Sequence, residues 1–400
     1  MRLLSENRRR RLALFALTLL AVLQFPIALQ RMAVWNYNPL TRPSYSDFGS
    51  LYLYASVGWH HGWNRLYDVH LQFRVWVQMG GWNYAPFYPN LYPPVTTWIA
   101  APFALLPFRL AWALWLVFML ALFIGIWKVA VPGPRLVRWA HLAAVLALYP
   151  VVLALMLGQP AVLSTAALVF GWWLLTKDRA VLAGIVLALA LIKPQIGFLV
   201  PAVLIVSGRW KTTLSWLASV AVLASLTLFS LGLDGVRQLV DHVVHVRDST
   251  PPTTPLTIQD LLGWRPLTFG VELAIVGLVL LIAYRRRHER IHLPFAAALV
   301  GSMLVAPYAQ PPNLLALVAA AWISLNAPTT IWSRRLLLAG YAVLLIPSMV
   351  VVPAAAAIFT TLLIPAVIGW LVIPVAIGWL VITATSPPMV KPQPASAMAA

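Results

Sequence analysis

Two ionisable side chains in apolar surroundings are the first candidates for chemistry in this sequence. Asp47 lies in the segment SYSDFGSLYLYASVGWHHG, just before an amphipathic stretch that could lie on a membrane surface. A carboxylate beside apolar side chains can act as a general base and take a proton from a hydroxyl group. Aspartate also favours the N-cap of a helix, and the sequence leaves both interpretations open.

Lys193, in LALALIKPQIGF, is the only lysine within an apolar stretch. An ammonium group at membrane depth is costly and by default marks a functional site with an anionic partner. Pro194 ends the preceding helix, which places the charge near a membrane interface. Because the chain has only 10 acidic residues, the phosphate of a ligand is an attractive partner for Lys193. Snorkelling of the side chain to lipid headgroups is the alternative.

Polar residues also lie in two predicted turns. Gln159 lies in MLGQPAVL, and Tyr308 and Gln310 lie in LVAPYAQPPNLL. Each of these residues is a candidate for contact with a substrate, although Gly and Pro residues alone could explain both turns.

The segment DHVVHVRD contains three candidates for binding a phosphate, namely His242, His245 and Arg247. The two histidines are three residues apart and share one face of a predicted helix. A zinc site is not expected because no third ligand is close. No other ligand cluster in the sequence calls for a metal, so we predict no metal site and no cofactor, with assistance by a divalent metal left open as the alternative. A solvated helix face remains the alternative for DHVVHVRD.

Aromatic residues are concentrated in residues 31–98, which hold 17 of the 46 in the chain. A belt of aromatic residues at a membrane interface would explain part of this enrichment, and stacking on sugars or acyl chains would explain more. Tyr52, Tyr67, Asp68 and Tyr88 are the candidates for substrate contact in this segment, while Asp68 in RLYDVH could also be a helix cap.

The composition indicates a membrane protein. Of the 400 residues, 61% are apolar and 10% are charged, whereas a soluble domain has about 25% charged residues. The absence of cysteine excludes disulfides, thiolate metal sites and a cysteine nucleophile. The net charge of +18 does not indicate nucleic-acid binding, because the basic residues lie in short runs between apolar blocks.

The apolar blocks predict an all-α polytopic bundle of about 10–13 transmembrane helices. Spans are predicted at about 12–30, 108–127, 139–157, 161–176, 180–193, 195–207, 212–232, 267–284, 292–308, 313–326 and 336–352, with more beyond. Several of them are shorter than the roughly 20 residues of a straight crossing, which predicts tilted, broken or buried helices.

The basic runs predict the orientation. If the N-terminus is cytoplasmic and residues 94–127 cross once, with Pro93 to Leu106 as a short re-entrant or interfacial segment, all the runs lie inside. The outside then receives the loops 31–93 and 233–266, the Gly158 turn, the region of Lys193 and the Tyr308 turn. We expect residues 1–385 to form one membrane domain and residues 386–400 to be a disordered tail.

Taken in order, five segments resemble glycosyltransferase family 87 over roughly residues 44–326. They are DFGSLYLYASVGWHHG with RLYD, NYAPFYPNLYPPVTTWIAAPFALLPFRLAWALW, GQPAVLSTAAL, AGIVLALALIKPQIGFLVPAVLIVSGRWK and APYAQPPNLLAL. The resemblance implies a GT-C-type membrane enzyme of the bacterial cytoplasmic membrane. It further implies transfer of a sugar, often mannose, from a polyprenyl-phosphate donor to a lipid or glycan acceptor on the outer face.

The resemblance also implies roles for particular residues. The family's catalytic base maps onto Asp47, its Gly-Gln turn onto Gly158 and Gln159, and its Lys-Pro pair onto Lys193 and Pro194. A single base is enough for inverting transfer, because a lipid-linked phosphate is already a good leaving group.

The late turn departs from the family pattern, with Gln310 and Asn313 where related sequences often have His or Asp. These departures leave a catalytically silent scaffold with the same fold as one alternative. A transporter or lipid flippase is the other alternative, because broken helices and a buried Lys193 would suit it as well.

Overall fold

The computed structural model describes residues 46–79, 87, 89–249, 256–349 and 357–387. Within these residues the chain is helical and has no β-strand, which confirms the predicted all-α class. The described α-helices, in chain order, are α1 (Asp47–His61), α2 (Val69–Gln78), α3 (Pro94–Ala100), α4 (Phe108–Ala130), α5 (Arg135–Leu146), α6 (Tyr149–Leu157), α7 (Ala161–Thr176), α8 (Ala180–Ala188), α9 (Val200–Val206), α10 (Trp210–Ser249), α11 (Ile258–Leu262), α12 (Arg265–Arg285), α13 (His292–Leu304), α14 (Leu315–Ser324), α15 (Ile331–Met349) and α16 (Ala357–Thr385).

Four of the described helices are long and apolar enough to cross a membrane. They are α4, the first 35 residues of α10, α12 and the Val367–Thr385 part of α16. Helices α5 and α6, with a bend of 72° between them, form either a fifth, broken span or a re-entrant loop. The protein is therefore a multi-pass membrane protein, as predicted. The predicted first span at 12–30 and the tail from residue 388 lie outside the described residues.

Three of the shorter apolar helices pack in the interior of the bundle. All 13 residues of α13 are buried, and most of α7 and α14 is buried with them. The long helix α10 has the opposite character, since Phe229 is 90% exposed and Leu214 and Val222 are also exposed. An apolar surface of this kind fits contact with lipid, while short helices avoid lipid by packing on their neighbours.

The predicted break between span and loop at residue 232 is present in α10. Gly232 has φ 67° and ψ 178°, and the helix continues beyond it to Ser249. This second part packs against the turn at Trp63–Arg65, where an added Cβ on Gly235 would lie 3.1 Å from the carbonyl oxygen of Asn64. The start of the second predicted outer loop therefore packs against the first predicted outer loop.

The turns that carry basic residues also contact one another. The Asn326 side chain donates a hydrogen bond of 2.7 Å to the carbonyl of Ala130, at the end of α4. Arg209 donates one of 3.4 Å to the carbonyl of Glu289. These contacts place turns from distant parts of the chain together, as expected of turns that share one side of a membrane.

Candidate active site

Five distant parts of the chain meet in one polar group, which we name the central cluster. Tyr92 donates a 3.0 Å hydrogen bond to Oδ1 of Asp47. Lys193 donates a 2.9 Å hydrogen bond to Oε1 of Gln159, and Nε2 of Gln159 lies 3.4 Å from Oε1 of Gln310. The Tyr92 hydroxyl lies 3.5 Å from Oε1 of Gln159 and so joins the two halves of the cluster.

Asp47 is the first residue of α1 and is not its N-cap. The cap is Ser46, whose hydroxyl accepts a 2.8 Å hydrogen bond from the backbone N–H of Gly49. The N-cap interpretation of Asp47 was therefore wrong. The half-buried Asp47 carboxyl does not cap the helix. It lies at the N-terminal end of the helix, where the helix dipole favours a negative charge.

An aromatic contact fixes Asp47 relative to Gln159. Phe48, fully buried beside Asp47, stacks on Trp115 with ring centroids 5.0 Å apart. The indole N–H of Trp115 donates a 3.0 Å hydrogen bond to the carbonyl of Gly158, which has a φ of +62°. Because Trp115 holds the neighbours of both Asp47 and Gln159, it sets the distance between the two halves of the cluster.

Lys193 lies at a break between helices. The α-helix ends at Ala188, and a single 3-10 turn continues to Ile192, before Lys193 leaves helical geometry at φ −144° and ψ 77°. Ser164 donates a 2.8 Å hydrogen bond to the carbonyl of Ala190, and Thr96 donates one of 3.2 Å to that of Ile192. The carbonyl of Ala190 also accepts a 3.1 Å hydrogen bond from the N–H of Lys193, so Ser164 adds a second donor to it. The Thr96 hydroxyl supplies a side-chain donor to the carbonyl of Ile192, at the end of the helical turn.

Lys193 is 2% exposed, and its ammonium group donates its hydrogen bond to an uncharged amide oxygen, Oε1 of Gln159. Its nitrogen also lies 6.0 Å from the centroid of the Tyr92 ring. Among the described residues, no carboxylate lies within ion-pair distance of it. An ammonium group can donate three hydrogen bonds, so Lys193 retains capacity for an anionic ligand.

The charge on Lys193 acts on Asp47 through space. Burial raises the pKa of the Asp47 carboxyl, while the Lys193 charge and the hydrogen bond from Tyr92 act in the opposite direction. A carboxylate with a raised pKa is a stronger base than an ordinary aspartate, and this is the property that a general base needs.

The late turn borders the cluster. Gln195 donates a 3.0 Å hydrogen bond to the hydroxyl of Tyr308, whose side chain is 43% exposed. Gln310 is exposed apart from its contact with Gln159, so both predicted residues of this turn lie at or beside the central cluster. Asn313 is fully buried, and neither polar atom of its amide has a hydrogen-bond partner in the described part of the chain.

Two predicted residues of the first loop have their contacts outside the central cluster. Asp68 is the N-cap of α2, where it accepts a 3.0 Å hydrogen bond from the N–H of Leu71 and pairs with Arg65 at 2.8 Å. The cap interpretation of Asp68 is thus confirmed. Tyr52 donates a 2.8 Å hydrogen bond to the carbonyl of Leu106, so its hydroxyl is occupied by the backbone.

Other predicted residues support the cluster from outside. Tyr67 is buried and donates a 2.5 Å hydrogen bond to the carbonyl of Tyr92. The His242 ring lies edge-on to Tyr67 with centroids 6.0 Å apart, and its Nδ1 has no partner among the described residues. Outside the described residues lie Tyr88 and the side chains of His245 and Arg247.

Sequence reasoning treated Tyr92 only as one of the aromatic rings of residues 31–98, and it did not predict Gln195 as a site residue. Tyr92 directly precedes Pro93 and Pro94, and Gln195 directly follows Pro194. Polar residues beside prolines that interrupt apolar blocks would have been the signal for both. Three His, Cys, Asp or Glu residues placed to hold a metal ion do not occur in the described part of the chain.

A family model gives an independent view of the chain. The model of glycosyltransferase family 87 matches residues 90–311, just over half of the sequence. The matched region includes Tyr92, Gln159, Lys193 and Gln310, while Asp47 precedes it. No curated protein and no solved structure matches the chain.

Proposed function

The chain belongs to glycosyltransferase family 87 and is a membrane glycosyltransferase, and we propose that it transfers a hexose from a polyprenyl-phosphate donor. In this proposal the enzyme is of the GT-C type, the sugar is mannose, and the acceptor is a lipid or glycan. The reaction occurs on the outer face of the bacterial cytoplasmic membrane. The observation that carries the proposal is the meeting of Asp47 and Lys193 in one cluster, bridged by Tyr92 and Gln159.

Asp47 is the general base of the proposed reaction. Its carboxylate takes the proton of an acceptor hydroxyl while the acceptor oxygen forms a bond to the anomeric carbon. The bond from that carbon to the phosphate oxygen breaks on the opposite face, which inverts the configuration. Only one carboxylate is needed, in contrast to the pair in most glycoside hydrolases, because the departing phosphate needs no general acid.

Lys193 stabilises the phosphate that leaves. The electron pair of the broken bond stays on the phosphate oxygen, so the polyprenyl phosphate gains negative charge as it departs. A buried ammonium group that is already in place stabilises this charge without reorganisation. His242, on the second loop, and the neighbouring His245 and Arg247 are proposed as additional phosphate contacts.

Neutral amide and phenol groups border the two charged residues. Gln159, Gln195, Gln310 and Tyr308 both donate and accept hydrogen bonds, which suits the hydroxyl groups of an uncharged sugar. The sequence has no nucleotide-binding signature, which favours a lipid-borne donor over a sugar nucleotide.

The decisive experiment compares two replacements of aspartate by asparagine. Purified protein in proteoliposomes receives polyprenyl-phosphate [14C]mannose and a bacterial membrane-lipid extract as the acceptor. Asp47→Asn is expected to reduce transfer about 10²–10⁴-fold. The matched control is Asp234→Asn, at a surface position where the carboxylate is 90% exposed and pairs only with Arg237.

Normal transfer by Asp47→Asn would remove Asp47 from the role of base. Absence of transfer by the wild type, together with uptake of the labelled lipid sugar into sealed vesicles, would favour a transporter instead. Absence of both activities would favour a silent scaffold.

The proposed orientation can be tested because the chain has no cysteine. A cysteine in place of Asp234 is expected to react with a membrane-impermeant maleimide from outside intact cells. A cysteine in place of the exposed Lys177 is expected to react only after lysis. The reverse pattern would put the active site on the cytoplasmic side.

A further inference from the structure

Tyr92 is held in place by its backbone on both sides. Its carbonyl accepts the 2.5 Å hydrogen bond from Tyr67, and its N–H donates a 3.0 Å hydrogen bond to Oδ1 of Asn90. Asn90 is itself fixed by a 2.9 Å hydrogen bond from its N–H to Oε1 of Gln72. Asn90 and Gln72 are fully buried, so this anchor is part of the protein core.

The residues after Tyr92 restrict it further. Pro93 follows directly, and a residue before proline is confined to extended backbone conformations. Pro94 then begins α3. The ring of Tyr92 therefore emerges from a backbone that has little freedom to move away from Asp47.

The single hydroxyl proton of Tyr92 has two possible acceptors. Oδ1 of Asp47 lies at 3.0 Å, whereas Oε1 of Gln159 lies at 3.5 Å and already accepts from Lys193 at 2.9 Å. Hydrogen bonds to a charged acceptor are shorter and stronger, so the proton belongs to Asp47. A bond to one oxygen of the carboxylate orients the other oxygen.

We propose that Tyr92 is a positioning residue, which holds the Asp47 carboxylate in the orientation that takes the acceptor proton. This inference rests on the proposed role of Asp47 as the base. Tyr92 is not itself a base, because burial, together with the charge of Asp47, raises the pKa of its phenol well above the usual value and keeps it protonated. Among the described residues, Lys193, Tyr54 and Tyr308 also interact electrostatically with Asp47.

The test removes only the hydroxyl, in Tyr92→Phe, and measures kcat/KM against pH. The base form of Asp47 is present above its pKa, so activity is lost as pH falls through that pKa. The hydrogen bond from Tyr92 favours the ionised form, so its loss is expected to move the acidic limb up by about 1–2 pH units. The matched control is Tyr341→Phe, which removes a hydroxyl that donates a 2.9 Å hydrogen bond to the carbonyl of Ala144 and is expected to leave the limb in place.

A measurement without turnover separates positioning from a merely structural role. Infrared spectra of a pH titration contain the C=O stretch of each protonated carboxyl, and the band lost in Asp47→Asn identifies Asp47. Tyr92→Phe is expected to raise the midpoint of this band by the same amount as the kinetic limb. If Tyr92→Phe does not fold, site-specific 3-fluorotyrosine, a stronger donor, is expected to lower the midpoint.

The outcomes distinguish this inference from the proposed function. Full activity of Asp47→Asn removes the base, and the positioning role with it. An inactive Asp47→Asn, combined with an unmoved acidic limb and band midpoint in Tyr92→Phe, overturns the role of Tyr92 alone. An unmoved midpoint with 3-fluorotyrosine overturns it in the same way.

Discussion

Replacement of Gly158 by alanine is expected to separate the two halves of the central cluster. Gly158 has a φ of +62°, and an added Cβ would lie 2.8 Å from Cβ of Phe48, 2.8 Å from the Trp112 ring and 2.8 Å from the indole nitrogen of Trp115. Alanine in this left-handed backbone conformation is about 1–2 kcal/mol less stable than glycine, because its Cβ approaches the following carbonyl oxygen. Overpacking against buried aromatic rings adds about 1–3 kcal/mol.

The free energy of unfolding, measured by SDS titration in mixed micelles, should therefore fall by about 2–5 kcal/mol. Gly208→Ala is the matched control, because Gly208 has a φ of +69° and an added Cβ would meet nothing within 4 Å. This control should lose only the backbone contribution of about 1–2 kcal/mol. The difference between the two variants measures the packing around Trp115.

Sugar transfer should fall more than stability alone explains. Gln159 follows Gly158 directly, and a displacement of about 1 Å at a site residue can cost about 10²-fold in rate. The assay is sugar transfer at a temperature where both variants remain folded. Equal stability of Gly158→Ala and Gly208→Ala, with normal transfer in both, would refute the argument that Trp115 couples Asp47 to Gln159.

Three further replacements test other contacts. Gln159→Glu replaces the amide that Lys193 contacts at 2.9 Å by a carboxylate. This carboxylate should compete with the donor phosphate for Lys193 and raise the KM for the donor about tenfold or more. An unchanged KM would argue against phosphate binding by Lys193. Ser164→Ala removes the 2.8 Å hydrogen bond to the carbonyl of Ala190, which still accepts from the N–H of Lys193. It should lower the free energy of unfolding by about 0.5–1.5 kcal/mol in SDS titration, and an unchanged value would show that the hydroxyl does not stabilise the helix break. Thr257→Ala removes the capping box that Thr257 forms with Asp260. It should lower the free energy of unfolding by about 1 kcal/mol in the same titration and leave sugar transfer unchanged. A loss of transfer would indicate a direct role of the second loop in the reaction.

Much of the fold could be predicted from the sequence because hydrophobicity is a local property. The predicted span at 161–176 coincides with α7, and the predicted breaks at Gly158, Pro194 and residue 232 are present. Gly and Pro residues encode such breaks through their own backbone preferences. The family, too, was evident from short segments in order along the chain, and the family model confirms it.

Local sequence patterns could not predict which polar side chains are hydrogen-bond partners. Asp47 and Tyr92 are 45 positions apart, Gln159 and Lys193 are 34 apart, and Gln159 and Gln310 are 151 apart. Serine and aspartate are equally favoured as N-caps, so the local sequence could not decide whether Ser46 or Asp47 caps the helix. Nothing near Tyr92 indicates that it meets the Asp47 carboxylate.

The sequence by itself determined the membrane class, the helical segments and the residue types available for chemistry, since these follow from each residue and its close neighbours. Only the tertiary structure decided which of those residues meet. The physical reason is that the packing of Phe48 on Trp115 and the hydrogen bond from Trp115 to Gly158 set the distances in the cluster, and both contacts join segments that are remote in the chain.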